Sequence, residues 1–106
     1  MKLSELKNLL EEWKTVTGMP YAYSAVKKGV TAPFLVYLGT SPDFAYADNT
    51  IYYSEEHFDI EYYFQHKDPE IEHNFEQLLL KAGAVYSKSE DINVEDSDLH
   101  YIIYSI

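Results

Sequence analysis

Residues 58–81 read FDIEYYFQHKDPEIEHNFEQLLLK, and the rhythm of the chain changes once within them. Phe58, Ile60, Tyr62 and Phe64 alternate with Asp59, Glu61, Tyr63 and Gln65. A period of two with one apolar face predicts an antiparallel strand lying under a covering layer. After Lys67 the period becomes helical. Asp68 is placed to cap, Pro69 suits the first helical position, and Glu70 and Glu72 favour the positive end of the dipole. Ile71, Phe75, Leu78, Leu79 and Ala82 then form an apolar stripe, Lys81 suits the last turn, and Gly83 ends it. Burying that stripe contributes about 2 kcal/mol per large side chain. A sheet with helices on it follows.

Working back from this unit, Leu3, Leu6, Leu10 and Trp13 recur at steps of three and four, with Leu9 and Val16 widening the stripe. They predict an N-terminal helix, stopped by a cap at Gly18 and by Pro20. YAYSAV (21–26) suits a strand or extended segment ending at Lys27-Lys28-Gly29. PFLVYL (33–38) is apolar on both faces and reads as an inner strand opened by Pro33. TIYY (50–53) reads as its continuation partner. Between them TSPDFAYADN (40–49) is a long loop that reads as a projecting arm and not an over-long turn, with Gly39, Pro42 and the Asp48-Asn49 pair as turn chemistry. Its Phe44 and Tyr46 are either tucked beneath the loop or anchors for a neighbouring subunit.

Working forward, two strands close the chain, one near Val85–Ser89 and one over Leu99–Ile106, joined by the acidic, turn-like EDINVEDSD (90–98). The expected fold is a single α+β domain over residues 1–106. One small antiparallel or mixed β-sheet is packed by an N-terminal helix and a second helix, in the order α-β-β-β-α-β-β.

The 106 residues include 11 Tyr, 5 Phe and 1 Trp, a 16% aromatic share suited to half-buried strands and interfaces. The net charge of −10, without a basic run, argues against binding nucleic-acid phosphates. No cysteine is present, which excludes disulfides and thiolate metal sites. Charges interrupt the leucines of MKLSELKNLLEEWK, so no signal peptide is expected there, and no apolar run approaches the ~20 residues of a membrane span.

Catalytic raw material is sparse. His57, His66, His73 and His100 lack the close spacing of a zinc site, and the four glycines make no phosphate-cradling loop. Carboxylates are abundant at Glu55-Glu56, Asp59, Glu61, Glu90-Asp91, Glu95-Asp96 and Asp98. They fall in polar stretches and on an exposed strand face, where solvation and discouragement of edge pairing explain them. EDINVEDSD lacks the glycine of an EF-hand calcium loop. No enzyme and no cofactor is expected. Two strands apolar on both faces, against two short helices, leave apolar surface for a second copy of the chain to cover.

Taken in order, TGMPYAY (17–23), PFLVYLG (33–39), YADNTIYY (46–53), FDIEYYFQHKDPEIEHNFEQLL (58–79) and VYSKSEDINVEDSDLHYIIYSI (85–106) give the chain a likeness to a known family. It resembles the tail-terminator or tail-completion (head-tail joining) proteins of tailed bacteriophages and prophages of Gram-positive bacteria. The resemblance runs over most of the chain. It implies a cofactor-free virion protein assembled in the bacterial host cytoplasm. Such proteins form a homo-oligomeric ring, typically a hexamer, that caps the tail tube, docks it to the head and lets DNA pass. Major tail and head-completion proteins are the implied partners. The candidate contact residues are Phe44, Tyr46, Asp48 and Asn49 in the 39–50 segment and Glu90, Asp91, Glu95 and Asp96 in the acidic segment. Two other readings stand beside this one: an acidic DNA mimic or inhibitor of a nucleic-acid-binding protein, and a small-ligand pocket between helix and sheet.

Overall fold

A computed structural model describes residues 1–26, 28–40, 43–47 and 50–106, with residues 43–47 and 50–55 described by their backbone. The strand–helix unit at 58–81 forms as its rhythm predicts. β5 (Phe58–Phe64) alternates buried and half-buried residues along its whole length. α2 (Pro69–Lys81) starts at Asp68, whose carboxylate accepts the main-chain N–H of Glu70 at 3.2 Å and of Ile71 at 3.3 Å. The N-terminal helix α1 (Leu3–Thr17) ends at Gly18 in the left-handed conformation, φ +75°, its N–H bonded to the Lys14 carbonyl.

Ten elements are described, and eight of them form one body. The main sheet is mixed and runs β1 (Tyr21–Tyr23), β2 (Phe34–Gly39), β5, β8 (His100–Ser105), with β6 (Ser87–Lys88) and β7 (Ile92–Asn93) sharing the outer edge of β8. β1 is parallel to β2, and the other pairs are antiparallel. β2 is an inner strand, as its two apolar faces require. Both helices cover one sheet face. Leu6, Leu10 and Trp13 from α1 and Phe75 and Leu79 from α2 meet Leu35, Ile60, Tyr62, Phe64, Ile102 and Tyr104 in one core. Trp13 stands edge-on to Phe75 with centroids 5.2 Å apart, and its indole N–H points at the Met19 sulfur, 3.3 Å away.

Four expectations need correction. YAYSAV is a strand only over Tyr21–Tyr23, because Ser24 turns the chain with φ +65°. TIYY does not continue the main sheet: β4 (Thr50–Glu55) pairs antiparallel with β3 (Asp43–Ala47) in a separate two-stranded ribbon. The segment carrying Phe44 and Tyr46 is therefore a strand and not a loop. EDINVEDSD likewise contains β7, which pairs Ile92 with Tyr101 and Asn93 with His100. Part of the apolar surplus is also resolved within the chain. Phe34 and Val36, on the face away from the helices, are 4% and 1% exposed, and Val26 and Val30 of the 24–33 connection line a small cavity with them.

Helix ends stray from their stripes. Leu3 and Val16 of α1 are exposed, Ala82 lies just past α2, and Glu72 of α2 is buried.

Candidate functional site

Three features stand out: the ribbon, the cleft at its base and the acidic segment at the far end of the sheet. β2 and β5 run together until Gly39 opposes Phe58, and the Thr40 N–H still bonds the His57 carbonyl at 2.9 Å. The chain leaves the sheet there, forms β3 and β4, and returns. Asp43 opposes Glu55, Phe44 opposes Ser54, Ala45 opposes Tyr53 and Tyr46 opposes Ile51, with a register shift between Ala45 and Tyr46. That shift is the mark of a β-bulge, which adds twist. No other described element packs substantially against this ribbon. The Cα radius of gyration is accordingly 15.2 Å, against about 13 Å for a compact domain of 100 residues. Asp48 and Asn49 lie outside the described residues.

Below the ribbon a cleft of about 930 Å³ opens between the start of α1, the end of α2 and the ends of β5 and β8. It brings His57, Asp59 and Ser105 into one hollow. The Ser105 hydroxyl donates to Asp59 at 2.7 Å, and His57 Nδ1 lies 3.2 Å from the Ile106 carbonyl oxygen. Nucleophilic activation needs serine bonded to histidine and histidine oriented by the carboxylate. The bonds described here run from the serine hydroxyl to the carboxylate and from His57 Nδ1 to the main chain.

Glu90 and Asp91 sit where the edge of the sheet breaks register. Ser87 and Lys88 oppose Ser105 and Tyr104, the Ser89 N–H bonds the Ile103 carbonyl, and Ile92 opposes Tyr101. Glu90 and Asp91 together thus face Ile102, a bulge that makes this edge a poor template for a further strand. Glu95 and Asp96 lie in the exposed turn between β7 and β8, where Asp96 has φ +59° and Asn93 Nδ2 donates to the carbonyls of Ser97 and Leu99. This turn lies beside His100 and Phe64, whereas the ribbon leaves beside Phe58 and Ile106. The structure therefore does not bring the two groups of candidate contact residues together. The ribbon leaves at one end of β5 and β8 and the turn of Glu95 and Asp96 lies at the other, about 20 Å away along the strands at ~3.3 Å per residue, while Glu90 and Asp91 oppose Ile102 between the two ends.

A polar cluster that sequence reasoning missed joins α2 to the bulged edge. Glu72, only 3% exposed, lies 2.8 Å from Lys67 Nζ and 3.0 Å from Lys88 Nζ. Lys67 reaches Asp91 at 2.9 Å, Lys88 reaches Glu76 at 2.8 Å, and the Tyr104 hydroxyl donates to Glu76 at 2.9 Å. Burial pushes the Glu76 carboxyl up, but hydrogen bonds from Lys88, Tyr104 and Tyr86 outweigh it and hold the group below its ordinary value. Burial, the Glu76 hydrogen bond and nearby negative charge raise the Tyr104 hydroxyl far above its ordinary value. Each carboxylate of the cluster has at least one lysine ammonium within 3.0 Å. Among the described residues no group of three potential ligands could hold a metal ion, and no helix is long and apolar enough to cross a membrane.

The signal for Glu72 was present but ambiguous. It follows Ile71 on the flank of the α2 stripe and serves equally well as a first-turn acid. Compared with known proteins, the chain matches no family model and no curated protein.

Proposed function

We propose that this chain is a non-enzymatic assembly protein of tailed phage type, a tail terminator or head-tail joining component. In this reading it forms a ring on the end of the tail tube. The observation that carries the reading is the β3–β4 ribbon, which stands off the body and has Phe44, Tyr46, Ile51, Tyr52 and Tyr53 among its residues. Aromatic residues carry a large share of interface energy, so a ribbon of this composition suits contact with another protein. Two further features support it. The ribbon and the acidic turn sit at opposite ends of the sheet, an arrangement suited to a component joined on two sides. The excess of acid would also keep a ring from sticking to DNA passing through it.

Electron microscopy of phage particles made without the protein tests the reading. Unjoined heads beside overlong tails are expected, and joined particles with tails of normal length would overturn it. In vitro, purified protein should bind tail tubes made from the major tail protein, measured by co-sedimentation.

A further inference from the structure

The β3–β4 ribbon is an incomplete sheet. A two-stranded ribbon alone in water is marginal, and a third strand or a packed face is needed for independent stability. Its strands are 5 and 6 residues long, each has one edge without a partner strand among the described residues, and no other element packs substantially on it. Seven of its eleven residues are apolar or aromatic: Phe44, Ala45, Tyr46, Ala47, Ile51, Tyr52 and Tyr53. Exposed edges of this composition are templates for pairing.

The main sheet offers such a ribbon little to pair with. At one edge β1 is three residues long, and Ser24 turns away after it with φ +65°. At the other, β6 and β7 have two residues each and are separated by the Glu90–Asp91 bulge. Both edges are blunted in the ways that prevent edge-to-edge contact. Among the described residues the longest unpaired strand edges are therefore those of the ribbon itself.

We propose that a second copy of this chain completes the ribbon, the free edge of β3 in one copy pairing with the free edge of β4 in the next. Pairing β4 with β4 across a two-fold axis would leave every β3 edge open. Unlike-edge pairing satisfies both edges of each copy once the ring closes. This inference rests on the ring-forming reading above and names the element that makes the ring.

The absence of cysteine makes the test clean. Ala45→Cys and Tyr53→Cys chains, mixed in equal amounts and treated with a short bismaleimide, should give mostly Ala45→Cys to Tyr53→Cys adducts between copies. Tyr53→Cys homodimers as the main product, or no adduct between copies under conditions where light scattering detects oligomers, would overturn the pairing. A second variant replaces residues 41–56 with Asn-Gly. The Thr40 N–H to His57 carbonyl bond shows the ends of β2 and β5 close enough for a two-residue turn. This variant should keep the circular dichroism of a folded body and lose self-association. If it still forms oligomers, the pairing is wrong and the assembly reading stands. If the full chain neither self-associates nor binds tail tubes, both fall.

Discussion

Glu72 shows how one residue escapes a pattern. It is as buried as the core leucines, yet it is held by Lys67 and Lys88, which are 44% and 34% exposed. Truncating the acid and truncating the cations are therefore unequal changes. Glu72→Leu leaves two lysines able to reach water and should be nearly neutral. Lys67→Met with Lys88→Met leaves a buried carboxylate uncompensated and should cost about 3–5 kcal/mol. Each single lysine change should cost less than half of that, because the other cation remains. Urea unfolding of the four variants measures this, and equal losses for Glu72→Leu and the double variant would contradict the account.

Glu76 adds a pH dependence. Its folded value lies below the ordinary 4.5, so its stabilisation is present above the unfolded value and fades as pH falls through the folded one. Stability should decline below about pH 4.5, and Glu76→Gln should flatten that decline. At the alkaline end the sign reverses. Burial first, then Glu72 and Asp68, push the Tyr62 hydroxyl up to about 12. Its stabilisation is present below pH 10.0 and lost as pH rises toward 12. An ultraviolet titration should show a group of tyrosines ionising late or only with unfolding, since Tyr21, Tyr63 and Tyr104 are raised too, and Tyr62→Phe should lower the amplitude of that late step by one tyrosine.

Among the elements, α2 was legible at its start and along most of its stripe because those signals are local, although Ala82 lies just past its end. The Asp68 cap, Pro69 and the apolar spacing act within one or two turns, and each took its expected role. Asp68→Ala should lose about 1 kcal/mol, since two main-chain N–H groups lose their acceptor. Gly18→Ala should lose about 1–2 kcal/mol although a Cβ there meets nothing within 4 Å, because the left-handed backbone itself disfavours alanine. Denaturant midpoints of the two variants check both values.

The strands were less legible where pairing is not local. TIYY has the composition of a strand in either arrangement. Whether it joins β2 or turns back on β3 depends on chain closure over 39–58, which local propensity does not encode. For the same reason Phe44 and Tyr46 looked like residues of a loop. Pro42, Asp48 and Asn49 bracket only five residues, Asp43 to Ala47, and that is enough for a short strand.

For the whole molecule, the body and the ribbon differ in kind. The body has a continuous core of helix against sheet, while the ribbon extends the particle to 52 × 30 × 24 Å. Removing residues 41–56 should bring the radius of gyration measured by small-angle scattering down toward about 13 Å. Its thermal midpoint should stay close to that of the full chain. A large fall in the midpoint would mean that the ribbon supports the core.

The two helices, the alternation of β5, the inner position of β2 and the α+β class were already written in the order of residues along the chain. Each depends on residue spacing or on caps within reach of neighbouring residues. The parallel β1–β2 pair, the bulge that sets Glu90 and Asp91 opposite Ile102, the burial of Glu72 between two lysines, and the separation of the ribbon from the Glu95–Asp96 turn to opposite ends of the sheet arise only in the folded chain. Those features depend on which distant segments meet, and the entropy of closing long loops is offset only by contacts that no local window contains.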